Sequence, residues 1–180
     1  MIKLVKGKCS IRRGVFETNS SSSHSLCISG KSDSITKHLP TNSDNIVMIS
    51  PDEFGWSGPT LCSPADKLSY IITMVFEQYS DEEDFRIYTG KSKWSFKINS
   101  NKIMETTEFK EIEKCIIENT DYAGLQLEYD AYDTDYAYID HQSFSDDYES
   151  YKDFLDYYGI TLADFLFNGK YQMIITNDNC

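Results

Sequence analysis

The feature that most constrains the fold is an apolar helix predicted for residues 63–79. Ser63 is suited to cap this helix, Pro64 to begin its first turn, and Asp66 to place negative charge near the N-terminus. Apolar side chains then recur at spacings of three and four residues, at Leu68, Ile71, Ile72, Val75, Phe76 and Tyr79. Because such a stripe must be covered, we expect the rest of the chain to form a core around it.

Shorter patterns predict the elements that surround this helix. Alternation around Gly90 predicts a hairpin of residues 85–88 and 94–98, and residues 124–129 and 136–140 suggest a second hairpin joined by an acidic turn. Further helices are predicted for residues 107–116, for residues 147–158 with Gly159 as the cap, and after Thr161. These elements predict one α+β domain over residues 1–180, with a largely antiparallel sheet and three to four helices.

Composition favours a cytoplasmic protein without a bound cofactor or metal. No apolar run approaches the roughly 20 residues that cross a bilayer, and lysines interrupt residues 1–8 where a signal peptide would be apolar. The five cysteines are widely spaced and form no Cys-x-x-Cys pair, so we expect reduced thiols and no zinc site. No contact with a membrane is predicted.

Negative charge is concentrated in the last third of the chain. Residues 121–180 carry 2 Lys/Arg against 13 Asp/Glu, a net of −11 out of −12 for the whole chain. The same third holds 10 of the 13 tyrosines. A field of this sign repels phosphate, so we expect no direct nucleic-acid binding by this part and favour a basic protein partner.

Within this third, the acidic, tyrosine-rich region 121–158 is the predicted partner-binding region. Carboxylates spaced along a hairpin would imitate a row of phosphates, and tyrosines would add contact area. A calcium loop formed by Asp130, Asp133 and Asp135 lacks the required glycine, a sugar-cleaving site lacks nearby tryptophans, and solubility alone remains an alternative. The predicted partner-binding residues are Glu128, Asp130, Tyr132, Asp133, Asp135, Tyr136, Asp140, Asp146, Asp147 and Glu149.

A serine-rich segment at residues 12–25 is a second candidate. Flanked by apolar residues, it is predicted to form an ordered turn that is structural, binds an anion or makes a second partner contact. An enzyme would use a serine as nucleophile, with His24 or His141 as base, but no Gly-x-Ser-x-Gly elbow is present. The residues of this second candidate site are Arg12, Arg13, Glu17, Asn19, Ser20, Ser21, Ser22, Ser23 and His24.

Residues 14–25 also carry a resemblance. They resemble an N-terminal signature of small phage and mobile-element proteins, among which are anti-CRISPR inhibitors of type II-A Cas9. The resemblance covers about a dozen residues and extends no further. It implies a phage or mobile-element origin, with Cas9 or its guide-RNA complex as the partner. Since Cas9 holds its heteroduplex in a basic channel, an acidic ridge in that channel would exclude DNA.

Overall fold

The computed structural model describes residues 22–28, 38–54, 60–90, 95–133, 137–139 and 148–177. In these ranges helices and strands are mixed and most strand pairs are antiparallel, which confirms the predicted α+β class. The described ranges contain five helices, so the predicted number of three to four was too low. None of these helices has the length and apolar character that crossing a bilayer requires.

The helices begin and end largely where capping residues predict. Ser63 accepts the Asp66 N–H at 3.1 Å at the start of the first helix, and Gly159 ends the fourth with a φ of +64°, in the left-handed region. The fourth helix begins after Ser150 and not at residue 147 as predicted, because Ser150 caps it by accepting the Asp153 N–H at 3.3 Å. The helices are α1 (Pro64–Ser80), α2 (Ser100–Glu105), α3 (Thr107–Asn119), α4 (Tyr151–Tyr158) and α5 (Leu162–Phe167).

The short helix α2 is the one that sequence patterns missed. It buries Ser100 and Ile103, too few positions to produce a visible apolar stripe. Asn99 caps it, its side-chain oxygen accepting the Asn101 N–H at 3.0 Å. Thr106 separates α2 from α3 and caps the latter, its Oγ1 accepting the Phe109 N–H at 3.2 Å.

The strands are short and form four small sheets within the described ranges. The strands are β1 (Ser22–Ile28), β2 (Ile46–Ile49), β3 (Glu53–Phe54), β4 (Thr60–Leu61), β5 (Arg86–Tyr88), β6 (Phe96–Asn99), β7 (Gly124–Leu127), β8 (Ala131–Asp133), β9 (Tyr138–Ile139) and β10 (Tyr171–Asn177). Two of the sheets are antiparallel, in the orders β1-β10-β4 and β5-β6-β8, and the pairs β2-β7 and β3-β9 are parallel.

The first predicted hairpin is confirmed, and the second is wrong. β5 and β6 pair antiparallel, with Arg86 opposite Ile98, and Gly90 has a φ of +78°. The acidic segment instead forms three strands in three sheets, since β7 pairs with β2, β8 with β6 and β9 with β3. The reason is burial: Leu125 and Leu127 lie in the core, and a strand enclosed in this way suits parallel pairing inside the domain.

One hydrophobic core joins these elements, and α1 lies at its centre. The predicted stripe is buried as expected, apart from Tyr79, which is only partly buried. Tyr70 and Met74 are buried as well, so the middle of α1 is enclosed on every side. Each fully buried side chain of this size contributes roughly 1.5–3 kcal/mol to stability. α1 is therefore the element against which the acidic region is positioned.

Candidate partner-binding surface

The acidic region separates into an exposed part and a buried part. Glu128, Asp130 and Glu149 are exposed, Asp133 is half-buried and Tyr132 is buried. The prediction of a single continuous ridge is therefore too simple for the described residues. The other predicted partner-binding residues lie outside the described ranges: Asp135, Tyr136, Asp140, Asp146 and Asp147.

One exposed feature is the turn between β7 and β8, which we term the acidic knuckle (Glu128, Tyr129 and Asp130). Tyr129 is 63% exposed, and the carboxylates on both sides of it are exposed too. An aromatic ring with a carboxylate on each side presents flat apolar area and negative charge together. Such a combination suits contact with Lys or Arg side chains.

A chain of hydrogen bonds holds the knuckle on the core. The Tyr132 hydroxyl donates to Ser50 Oγ at 3.0 Å, and Ser50 Oγ donates to Glu128 Oε2 at 2.7 Å. The Tyr129 N–H donates to the Tyr132 hydroxyl at 3.3 Å, and the Glu128 N–H donates to the Ile49 carbonyl at 3.1 Å. The knuckle is therefore held in one geometry before any partner binds, which lowers the entropic cost of binding.

Tyr132 was predicted to contact a partner, but the structure buries it. It is only 7% exposed, and its ring packs edge-on against Phe76 at 5.4 Å and against Tyr129 at 5.6 Å. Burial raises the pKa of its phenol, while hydrogen bonds to Ser50 and the Tyr129 backbone act in the opposite direction. Tyr132 therefore supports the knuckle from beneath, and Tyr129, which the sequence prediction passed over, is the exposed ring.

Asp133 also differs from the expectation of a free carboxylate. It lies on β8 directly opposite Lys97 of β6, and its Oδ2 is 3.2 Å from Lys97 Nζ. Cross-strand pairs of opposite charge stabilise a sheet modestly. Because Lys97 neutralises Asp133 locally, the unpaired negative charge of residues 128–133 lies in the knuckle.

A second exposed cluster lies on α4 and immediately before its cap, and we term it the α4 patch (Glu149, Asp153, Asp156 and Tyr157). Tyr157 is 65% exposed, and its ring contacts Tyr158 at 5.0 Å and Tyr148 at 5.5 Å. The three carboxylate residues are exposed. Helical periodicity could have identified this face, because Tyr151, Phe154 and Leu155 occupy the buried side of α4.

The basic residue nearest the α4 patch is neutralised by a partner on α3. Lys152 Nζ lies 2.5 Å from Glu111 Oε2, which also accepts the Tyr151 hydroxyl at 3.2 Å. The hydrogen bond from Lys152 is the main cause that lowers the pKa of the Glu111 carboxyl. Lys152 is one of only two Lys/Arg in residues 121–180, so its pairing leaves the α4 patch acidic.

Polar side chains on α1 fix the backbone next to the acidic region. Ser69 Oγ donates to the Ser50 carbonyl at 2.8 Å, and Thr73 Oγ1 accepts the Asp52 N–H at 3.0 Å. One turn further on, Glu77 Oε1 accepts the Ile139 N–H of β9 at 2.6 Å. Burial raises the pKa of Glu77 to about 7, although the Ile139 hydrogen bond lowers it. These three residues recur every fourth position and form one polar stripe on a buried helix.

The serine-rich segment is only partly described, and the described part is a strand instead of a turn. Ser22, Ser23 and His24 belong to β1, where all seven residues pair antiparallel with β10. Pairing with β10 supplies backbone partners along the whole segment, which explains why the strand extends into the serine run. The other residues of this candidate site lie outside the described ranges: Arg12, Arg13, Glu17, Asn19, Ser20 and Ser21.

The described residues offer few groups for covalent or metal chemistry. Cys62 and Cys115 are free thiols, and burial raises the pKa of Cys115, which disfavours its thiolate. In the described ranges no three His, Cys, Asp or Glu side chains are grouped to hold a metal ion. An open groove of about 480 Å³ at the end of α3 is lined by Asn45 and residues 118–122 and carries no such grouping.

Comparison with known proteins provides no further assignment. No protein-family model, no curated protein and no solved structure matches the chain.

Proposed function

We propose that this protein binds a positively charged surface of a nucleic-acid-handling protein and excludes nucleic acid from it. The binding residues are those of the acidic knuckle and the α4 patch. In this role the protein is an inhibitor that acts by occupancy and requires no covalent chemistry.

The observation that carries the proposal is the setting of Tyr129. Its ring is 63% exposed between two exposed carboxylates, while its backbone N–H is bonded to the buried Tyr132 hydroxyl. Rigid tyrosines contribute strongly to interfaces because few side-chain torsions have to be ordered on binding. A surface built only for solubility would need the charges and not the anchored ring.

The charges favour a basic partner over a neutral or acidic one. Lys97 and Lys152 are paired with Asp133 and Glu111, so neither offsets the exposed carboxylates of the knuckle and the α4 patch. A field of one sign steers a surface of the opposite sign into contact and raises the association rate, an effect that salt weakens.

The partner we propose is Cas9 with its guide RNA, as the resemblance of residues 14–25 to phage and mobile-element proteins suggests. Such an effector holds nucleic acid in a basic channel and reads a short adjacent motif with arginines. Exposed carboxylates interleaved with tyrosines would compete with phosphates for those basic side chains. The protein would then be an anti-CRISPR inhibitor that blocks DNA binding or cleavage.

The proposal is tested with a charge variant and a matched control. The test variant combines Glu128→Gln, Asp130→Asn and Asp156→Asn, changes that keep side-chain size and let residue 128 still accept from Ser50. The control combines Asp44→Asn, Glu105→Gln and Glu118→Gln, which change the net charge equally at exposed positions outside both clusters.

Binding of each variant to the Cas9–guide complex is measured by pull-down and by titration at low and raised salt. The test variant is expected to bind at least tenfold more weakly than wild type with a shallower salt dependence, and the control to stay within about twofold. Equal weakening of both variants would show that only net charge matters. Unchanged binding of the test variant would overturn the proposal.

A further inference from the structure

The outer edge of β5 is a third exposed surface, distinct from the knuckle and the α4 patch. β5 is the first strand in the order β5-β6-β8, so in the described part of the chain only β6 pairs with it. Ile87 is 41% exposed and Tyr88 is 47% exposed. Exposed apolar side chains on an unpaired strand edge are typical of a site that receives another strand.

The pairing register shows which backbone groups face outward. The Thr89 N–H donates to the Ser95 carbonyl at 3.0 Å, so Thr89 and Ser95 form a hydrogen-bonded pair. Hydrogen-bonded and non-hydrogen-bonded pairs alternate in an antiparallel ladder, so Tyr88 and Phe96 form a non-bonded pair. The Tyr88 N–H and carbonyl therefore point away from β6. The Arg86 N–H is already used, since it donates to the Glu83 carbonyl.

The side chains of this edge are held in place. Arg86 lies over the Phe96 ring, with its guanidinium carbon 4.2 Å from the ring centroid, and its Nε donates to the Ser80 carbonyl at 2.8 Å. The Tyr88 ring packs against the Phe96 ring at 6.2 Å. The edge is therefore an ordered surface.

Charge identifies the kind of segment that fits this edge. Residues 81–84 are four consecutive exposed acids that lead directly into β5. Arg86 pairs with Asp81 at 3.0 Å, and Glu83 Oε1 accepts the Tyr88 hydroxyl at 3.5 Å. All four acids are exposed, so the charges of Glu82, Glu83 and Asp84 still face a partner along this edge. The chain as a whole has a net charge of −12, which disfavours a second copy at this edge.

We propose that the β5 edge binds an extended, basic segment of a partner protein by strand addition. The added strand exchanges hydrogen bonds with Tyr88, places apolar side chains against Ile87 and Tyr88, and lays Lys or Arg side chains along residues 81–84. Main-chain bonds supply affinity in this mode, and the alternating side chains supply specificity.

The test uses a capped peptide of alternating Lys and Val, with an alternating Glu and Val peptide as the control. Amide hydrogen exchange of the full-length protein is followed by NMR with each peptide. The Tyr88 amide is expected to become at least tenfold slower to exchange with the basic peptide only. The Thr89 amide, already bonded to Ser95, is expected to change little. Binding of the basic peptide without slowing at Tyr88 would overturn strand addition.

Two variants of Tyr88 distinguish the contribution of its backbone N–H to peptide binding from that of its side chain. Tyr88→Pro removes the outward N–H, and an edge strand tolerates proline where that N–H faces solvent. Tyr88→Ala keeps the N–H and removes the ring. We expect Tyr88→Pro to abolish peptide binding and Tyr88→Ala only to weaken it. Equal effects of the two variants would contradict the role of the N–H.

A third variant tests the proposal even if Tyr88→Pro disturbs the fold. Glu82→Gln, Glu83→Gln and Asp84→Asn together are expected to weaken binding of the basic peptide at least fivefold at low salt, and less at raised salt. Unchanged affinity in this variant, or no affinity of the wild type for the basic peptide, would show that the acids only protect the edge from aggregation and would overturn the proposal.

Discussion

The Tyr132 hydroxyl donates to Ser50 Oγ across 3.0 Å and so joins the buried core to the exposed acidic knuckle. Ser50 Oγ in turn donates a hydrogen bond to the Glu128 carboxylate at 2.7 Å. The exposed charge is thus held by a residue that no partner would touch. This arrangement makes binding sensitive to changes beneath the surface.

Replacing Tyr132 by Phe is expected to loosen the knuckle. The change leaves the Tyr129 N–H without its acceptor and Ser50 Oγ without a donor, which costs about 1–2 kcal/mol of unfolding free energy. We also expect the affinity for the Cas9–guide complex to fall about threefold to tenfold, and the Tyr129 amide to exchange faster.

Tyr122→Phe is the matched control for this prediction. Its hydroxyl accepts the Leu39 N–H at 2.9 Å, and Tyr122 precedes β7, outside the acidic knuckle. This variant should lose a similar amount of stability, measured by urea denaturation, and keep its affinity. If both variants lost affinity equally, the effect would be one of stability and not of the knuckle.

The two exposed tyrosines are expected to contribute to binding and not to stability. Tyr129→Ala and Tyr157→Ala each remove a ring that is more than 60% exposed, so the unfolding free energy should change by less than about 0.5 kcal/mol. Each should weaken binding to the partner about tenfold, in the range of an interface hot spot. Ile117→Ala, another exposed side chain, is the control. If the double tyrosine variant bound the partner as tightly as wild type, these rings would not be part of the interface.

Glu77 is expected to make stability depend on pH. Its pKa is raised to about 7 by burial, so between about pH 4.5 and 7 the folded chain binds more protons at this site than the unfolded chain. The contribution of Glu77 to stability therefore falls as the pH rises through this window. Glu77→Gln keeps an oxygen that can accept the Ile139 N–H and removes the charge.

We expect Glu77→Gln to be about 1–3 kcal/mol more stable than wild type at pH 8 and similar to it near pH 4. Chemical denaturation of both proteins across this range measures the difference. A difference that stays constant with pH would show that Glu77 is ionised in the folded chain with an ordinary pKa.

Lys67 gives the opposite dependence on pH. Its side chain is fully buried in α1, its Nζ has no hydrogen-bond partner among the described residues, and the Phe165 ring centroid lies 5.7 Å away. Burial lowers its pKa to about 8, although the neighbouring Cys62 raises it. Between pH 8 and about 10.5 the unfolded chain therefore binds more protons, and the contribution to stability rises with pH.

Lys67→Met is expected to stabilise the protein by about 1–3 kcal/mol at pH 7, because a buried charge is replaced by an apolar side chain of similar length. The gain should shrink as the pH approaches 10.5. Denaturation at pH 7 and pH 10 measures it, and destabilisation at pH 7 would mean that Nζ makes a favourable contact in the folded state.

The sequence was most informative where local signals coincide. Ser63, Pro64 and the apolar stripe together predicted α1, and Gly159 predicted the end of α4, because capping and periodicity depend on neighbouring residues. The hairpin of β5 and β6 was predictable for the same reason, since its two strands are separated only by a short turn around Gly90.

Long-range pairing was not predictable in this way. The pairing of Ile49 with Leu127 joins residues far apart in the chain, and nothing local distinguishes it from a hairpin of β7 and β9. The same holds for the site: Tyr129 and Tyr132 are three residues apart in one acidic stretch, yet one is exposed and the other is buried. Only the placement of β8 against β6 decides between them.

Competition with DNA tests whether the protein acts by occupying the basic channel of its proposed partner. Labelled target duplex is bound to the Cas9–guide complex, and the protein is titrated in at low and at raised salt. We expect the protein to displace the DNA, and we expect the displacement to weaken as salt rises. The variant with Glu128→Gln, Asp130→Asn and Asp156→Asn should displace it poorly. A ternary complex that retains the DNA, or no binding to Cas9 at either salt concentration, would contradict it.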